Sequence, residues 1–270
     1  MKKVGWGGKI FLVALLVFMY FPIFVLMFFS FNSTKSQVIF EGFSLRWYEN
    51  LFNNSTVMNA LWNTLILAGI SSTAATVLGT AAAVGIASFG KKSKSAIMSV
   101  TYMPIINPEI VTGVSLMLLF VFFKNVFGIP LGFFTVLLAH ITFNLPYVIL
   151  NVMPKLRQLD PSLFEAAQDL GCSRISAFFK AVIPELMPGI VAGFLMAFTF
   201  SLDDFIVTYF TNGSLFETLP TVIYTMTRKR VSPQINALST IIFVIVIAVL
   251  IVYNIISANH AKKLKAEIAK

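Results

Sequence analysis

Long apolar runs separated by short polar stretches organise this chain. A hydrocarbon core about 30 Å thick needs about 20 helical residues to cross it. Six runs qualify: about 10–31, 61–89, 96–123, 131–152, 186–211 and 237–258. Several hold Gly or Pro, which spanning helices tolerate better than soluble ones do. The pattern predicts an all-α integral membrane protein, six transmembrane helices in one domain over residues 1–270. The first run follows Lys2, Lys3 and Lys9 but is longer than the apolar core of a secretory signal. No small-residue cleavage site follows it, so it reads as a retained span.

The periodicity changes in the polar stretch 153–185. Asp160 is placed to cap a helix whose first position is Pro161. Leu163, Ala166, Ala167 and Leu170 then fall at i, i+3, i+4 and i+7, an apolar stripe too short to span. Gly171 suits the position just past the helix end. Ser173 is placed to cap a second short helix running through Phe178 and Phe179, with Pro184 expected to stop it. The other long loop, 32–60, carries the interfacial pair Trp47 and Tyr48.

Composition agrees with the pattern. Hydrophobic residues make up 57% of the chain and charged residues 11%, with a mean hydropathy of +0.85, whereas soluble domains carry about 25% charge. The net charge of +9 comes from small basic clusters between apolar runs rather than from a stripe, which argues against nucleic acid. With the N-terminus inside, fourteen of the twenty Lys and Arg fall on the cytoplasmic side. That bias predicts both termini in the cytoplasm, with Arg228, Lys229 and Arg230 the discordant outer cluster. The single Cys172 excludes an internal disulfide.

Catalytic patterns are missing. The segment from Gly85 to Lys92 has the G-x₄-G-K spacing of a phosphate loop. Lys92 stands where Ser or Thr must reach magnesium, and no strand precedes the segment, so we read a chance match. His140 and His260 lie in different segments, and His140 reads as a hydrogen-bonded packing residue. No metal or cofactor is expected on this chain.

Three carboxylates fall inside predicted spans: Glu109, Asp203 and Asp204. Each costs about 2.5–3.5 kcal/mol at a helix centre on insertion scales, so each asks for a reason. At 1.5 Å per residue, Glu109 lies about 20 Å and Asp203 about 25 Å along its helix from the cytoplasmic end, so all three share a depth. Neighbours on a helix point about 100° apart. Asp203 and Asp204 therefore face different ways: one lines a path while the other pairs with a neighbour, or both are structural. Glu109 follows Pro104 and Pro108, where a helix break would build a polar site. Carboxylates among aromatic side chains suit a cationic substrate. Ser201, Phe205 and Tyr209 lie near the aspartates, and Trp47 is a candidate for the outer mouth.

Glu165-Ala166-Ala167, three residues, Gly171, and Pro184 after twelve more resemble the EAA loop of binding-protein-dependent ABC importer permeases, E-A-A-x₃-G-x₉-I-x-L-P. Ala181 replaces the usual Ile, and Ile183 the usual Leu. The resemblance implies the type I importer permease fold, with 153–185 as a cytoplasmic coupling loop. It also implies a second permease subunit, a dimer of ATP-binding subunits that hold ATP and magnesium, an extracytoplasmic binding protein, and a bacterial inner-membrane location. Ser201-Leu202-Asp203-Asp204-Phe205 with Thr208 resembles the fifth-helix signature of the spermidine/putrescine permeases, and Ser232–Ala237 is similar to that group too. The polyamine group is the reading these residues favour. The alternatives are an importer for another small solute and, less in keeping with the loop, an ion-coupled carrier.

Overall fold

The computed structural model describes residues 5–36, 39–214, 216–229 and 233–245, with 247 and 251. The described residues are almost entirely helical, apart from an isolated bridge between Asn32 and Phe43. Contacts gather the chain into two compact units, Met1–Met58 with Ile223–Lys270, and Asn59–Val222.

In the first unit, α1 (Trp6–Ser30) is an apolar helix with Pro22 inside it. It is followed by a loop built around Asn32. The Asn32 side chain donates to the carbonyls of Ser36 and Ile39 and accepts from the Glu41 N–H. The short α2 (Arg46–Phe52) packs back on this loop. Its Trp47 is 4% exposed and donates its indole N–H to the Asn32 carbonyl at 2.6 Å. Arg228 lies over the Tyr224 ring at 5.7 Å, and Tyr20 of α1 meets Phe243 with centroids 6.4 Å apart. Arg230, Ser232 and the tail with His260 lie outside the described residues.

The second unit takes in most of α3 (Ser55–Ser88), then α4 (Lys91–Ile106), α5 (Glu109–Phe127) and α6 (Phe133–Gln158). The loop helices α7 (Pro161–Asp169) and α8 (Arg174–Ala177) follow. A π turn (Phe178–Val182) leads into α9 (Ile183–Asp203), then α10 (Ile206–Thr211) and the start of α11 (Leu219–Lys229). α6 is its axis. Ala75, Ala83 and Ile86 of α3, Met98 of α4 and Ala197 of α9 close a buried cluster around Val148, Ile149, Val152 and Met153. Small residues let the backbones approach, as in other membrane bundles. A Cβ at Gly79 would sit 2.8 Å from the Val148 side chain, and one at Gly189 would sit 2.8 Å from the Asn151 carbonyl.

Among the described residues, five helical stretches are long and apolar enough to cross a membrane: Trp6–Ser30, Ser55–Ser88, Glu109–Phe127, Phe133–Gln158 and Arg174–Asp203. The sixth expected span is represented by the shorter α12 (Pro233–Ile245), and most of the remainder to 258 lies outside the described residues. The expected span 96–123 is divided instead. α4 ends at Ile106, and Asn107, extended at ψ 140°, precedes Pro108, whose ring disfavours helix at the residue before it. The expected span 186–211 is also divided, because Asp204 is extended at ψ 120° between α9 and α10.

The loop helices largely follow the sequence. The Asp160 carboxylate accepts the Ser162 N–H, and Ser173 accepts the Ser176 N–H. Gly171 at φ 86° donates to the Gln168 carbonyl while Cys172 donates to that of Ala167, a Schellman closure of α7. Pro184 differs from expectation. It does not stop the second helix, because Arg174–Asp203 runs on as one helical stretch. A proline has no N–H to give and crowds the carbonyl four residues back, and the wider π turn just before Pro184 accommodates both demands.

Candidate functional site

The two helix breaks meet. Pro104 near the end of α4, Glu109 and Thr112 of α5, Phe143 and Tyr147 of α6, Phe200 and Asp203 of α9, and Asp204–Val207 line one cavity of about 360 Å³. That volume is in the range of small-ligand sites, with mostly apolar walls and a few polar groups. α5 and α10 hold close at Gly113, where a Cβ would stand 3.0 Å from the Phe210 ring. The walls are aromatic: Tyr147 and Phe200 have centroids 4.4 Å apart, and Phe205 packs on Tyr209 at 5.3 Å.

Asp203 and Asp204 part company at the break. Asp203 ends α9, is exposed toward the cavity, and makes no ion pair among the described residues; nor does Glu109, the first residue of α5. Asp204 turns the other way. Its side chain is 6% exposed. Oδ1 accepts the Val207 N–H at 3.2 Å, and Oδ2 accepts the Thr208 N–H at 2.8 Å and the Thr208 hydroxyl at 2.7 Å. Asp204 thus caps α10, satisfying amides that the break leaves without helical partners.

Behind Asp204 runs a buried polar line. His140, with no exposed surface, sets Nε2 at 2.9 Å from Thr208 Oγ1 and 3.4 Å from Asp204 Oδ2. Its Nδ1 lies 2.6 Å from Ser201 Oγ, and Ser201 Oγ lies 2.9 Å from Ser71 Oγ. The line ties α3, α6, α9 and α10 together.

The residues singled out from sequence therefore divide. Glu109, Asp203, Asp204 and Phe205 line one cavity; Ser201 lies behind it in the polar line; Tyr209, 48% exposed, packs on the wall residue Phe205. Trp47 belongs to the other unit, with its N–H held by Asn32. Sequence reading missed Thr112, Phe143, Tyr147 and Phe200 as wall residues, and Ser71 as a partner. The wall aromatics carry no motif, but the intramembrane His140 was itself a signal that a polar partner must be near.

In the loop, Glu165 and Ala166 are exposed, and Leu163 and Leu170 are 40% and 87% exposed, so the apolar stripe of α7 is open along much of its length. Gly171 and Pro184 are exposed as well.

Residues 75–266 match the family described as binding-protein-dependent transport system inner membrane component. The chain is 36% identical over 256 residues to the spermidine/putrescine transport system permease protein PotC of Escherichia coli, covering 95% of each. It is similar to the PotC protein of Haemophilus influenzae, 36% identical over 93% of this chain and 96% of that one. To the putrescine transport system permease protein PotI of Escherichia coli it is 40% identical, over 83% of this chain and 81% of that one. Among solved structures it resembles a bacterial ABC transporter involved in the import of the acidic polysaccharide alginate. The TM-score is 0.68 at 12% identity, over 95% of this chain and 99% of that one, a likeness of fold. A match over most of the chain, joined to relatives that align nearly end to end, leads to one conclusion: this chain belongs to the family of binding-protein-dependent transport system inner membrane components.

Proposed function

We propose that this chain is a permease subunit of a bacterial ABC importer that carries polyamines, spermidine or putrescine, across the inner membrane. The observation that carries the cargo reading is the cavity at the two helix breaks. Asp203 and Glu109 offer carboxylates without ion-pair partners among the described residues, set among Phe143, Tyr147, Phe200 and Phe205. A polyamine presents ammonium groups to such carboxylates and methylenes to such rings, with cation–π attraction from the aromatic faces. An acidic cargo would meet repulsion there.

In this reading six helices span the membrane, α12 continues to complete the last, and both termini lie in the cytoplasm. The loop helices form the coupling element. The open stripe of Leu163, Ala166 and Leu170, beside Glu165, docks on an ATP-binding subunit, which hydrolyses ATP with magnesium. A second permease completes the path, and an extracytoplasmic protein delivers the cargo. Closure of the ATP-binding subunits moves the loop helices and opens the permease pair by rigid-body motion.

The test is reconstitution with these partners and measurement of ATP-dependent uptake of labelled spermidine and putrescine. Uptake that requires ATP and fails for Glu165→Ala supports cargo and coupling together. ATP hydrolysis without polyamine entry rejects the cargo and leaves the importer.

A further inference from the structure

The direction of every hydrogen bond in the line behind Asp204 follows from one end. The Asp204 carboxylate can only accept, so Thr208 donates its hydroxyl proton to Oδ2 at 2.7 Å. The Thr208 oxygen is then the acceptor for His140 Nε2–H at 2.9 Å. With its proton on Nε2, a neutral imidazole accepts at Nδ1, and Ser201 donates there at 2.6 Å. The Ser201 oxygen in turn accepts the Ser71 hydroxyl at 2.9 Å. In this order each side-chain proton is used at 2.9 Å or less. The alternative, an imidazolium donating from both nitrogens, forces Ser201 to donate to Ser71. It leaves the Ser71 hydroxyl only the Ala68 carbonyl at 3.4 Å, a poor bond.

We propose that His140, as the neutral Nε2–H tautomer, is the positioning residue of the carboxylate site. It sorts the two adjacent aspartates into different tasks. By fixing Thr208 it holds the carboxylate of Asp204 on the first amides of α10, which keeps the chain extended at Asp204. Asp203 is thereby left at the end of α9 with its carboxylate toward the cavity. The cavity then presents two carboxylates to its occupant, Asp203 and Glu109, rather than three. Two carboxylates pair with two ammonium groups, all of those in putrescine and two of the three in spermidine, so the sorting sets how many cationic groups the site pairs. This inference rests on the polyamine reading for its consequence, while the ordered chain of bonds does not depend on the cargo.

The sequence has two histidines, so His260→Asn leaves a single imidazole on this chain. The full complex is assembled from this chain labelled with ¹⁵N-histidine and from unlabelled partners, then studied in lipid bilayers by solid-state NMR. The expected spectrum is one neutral imidazole with the proton on Nε2, and Asp204→Ala, which removes the acceptor of the Thr208 hydroxyl, moves protons toward Nδ1. An imidazolium, an Nδ1–H tautomer before substitution, or no response to Asp204→Ala overturns the chain of bonds. A second arm measures polyamine uptake per assembled complex. His140→Leu is expected to lose about tenfold, the loss of hydrogen bonds at a buried site. His140→Gln, which restores a donor toward Thr208, is expected to recover most of it. Equal losses in both variants, or none, overturn the positioning role. If the unsubstituted complex takes up no polyamine, the cargo reading has failed, and the spectrum alone decides the proposal.

Discussion

Asp203 and Asp204 are consecutive, yet one carboxylate faces the cavity and the other is buried against Val207 and Thr208. Their substitutions should therefore fail differently. Asp203→Asn removes a partner for a cation, and a charge-assisted hydrogen bond is worth about 1.5–3 kcal/mol, so uptake should fall about 10- to 100-fold with the complex intact. Glu109→Gln should act the same way. Labelled polyamine uptake, normalised to assembled complex, checks both.

Asp204→Ala should instead lower stability. A helix cap contributes about 0.5–2 kcal/mol, and here Thr208 and His140 lose a partner as well. Thermal unfolding of the complex in detergent should show a lower midpoint for Asp204→Ala and an unchanged one for Asp203→Asn.

The contact of α6 with α9 tolerates nothing larger than glycine at position 189. An added Cβ would lie 2.8 Å from the Asn151 carbonyl, 2.9 Å from the Lys155 side chain and 3.3 Å from Val152 Cα. Two of these are backbone atoms that cannot swing away. Gly189→Ala should cost about 1–3 kcal/mol, the usual price of overpacking, seen as a lower unfolding midpoint.

Gly171 closes α7 at φ 86°, where an L side chain costs about 1–2 kcal/mol. Gly171→Ala should loosen the C-terminal end of α7 without disturbing the spans. Amide exchange at Gly171 and Cys172 should quicken, and ATP hydrolysis should proceed with less cargo moved per turnover.

The Ser162 N–H that donates to Asp160 holds its carboxyl below the usual carboxylate range. The folded value is depressed, so the capping contribution is fully present above the unfolded carboxylate pKa. It is lost as pH falls through the depressed one. The difference in α7 amide protection between wild type and Asp160→Ala should be largest at neutral pH and vanish in acid.

What the sequence made legible was local. Asp160, Pro161, Gly171 and Ser173 act on backbone groups within a few residues, so their spacing alone told where the loop helices begin and end. The breaks at Asn107 and Asp204 were less legible. A window long enough to detect a span averages over one extended residue, although Pro108 gave a clue to the first. Least legible was the polar line. His140 meets Ser201 across 61 positions and Thr208 across 68, and no periodicity links residues on separate helices. The same holds for Phe143, Tyr147 and Phe200, whose grouping exists only after α6 and α9 pack.

The π turn at Phe178–Val182 has an angular consequence. A π turn carries one residue more than the α-helical turn it replaces, so the extra residue at Phe178–Val182 is absorbed within the turn instead of being passed on to α9. Deleting a single residue there would restore regular α geometry and leave Asp203 on nearly its present heading. Deleting one from the regular stretch of α9 would instead swing Asp203 about 100° around the helix axis, the advance of one α-helical residue. The wide turn thus keeps the carboxylate at the helix's far end in register with the loop helices despite the added residue.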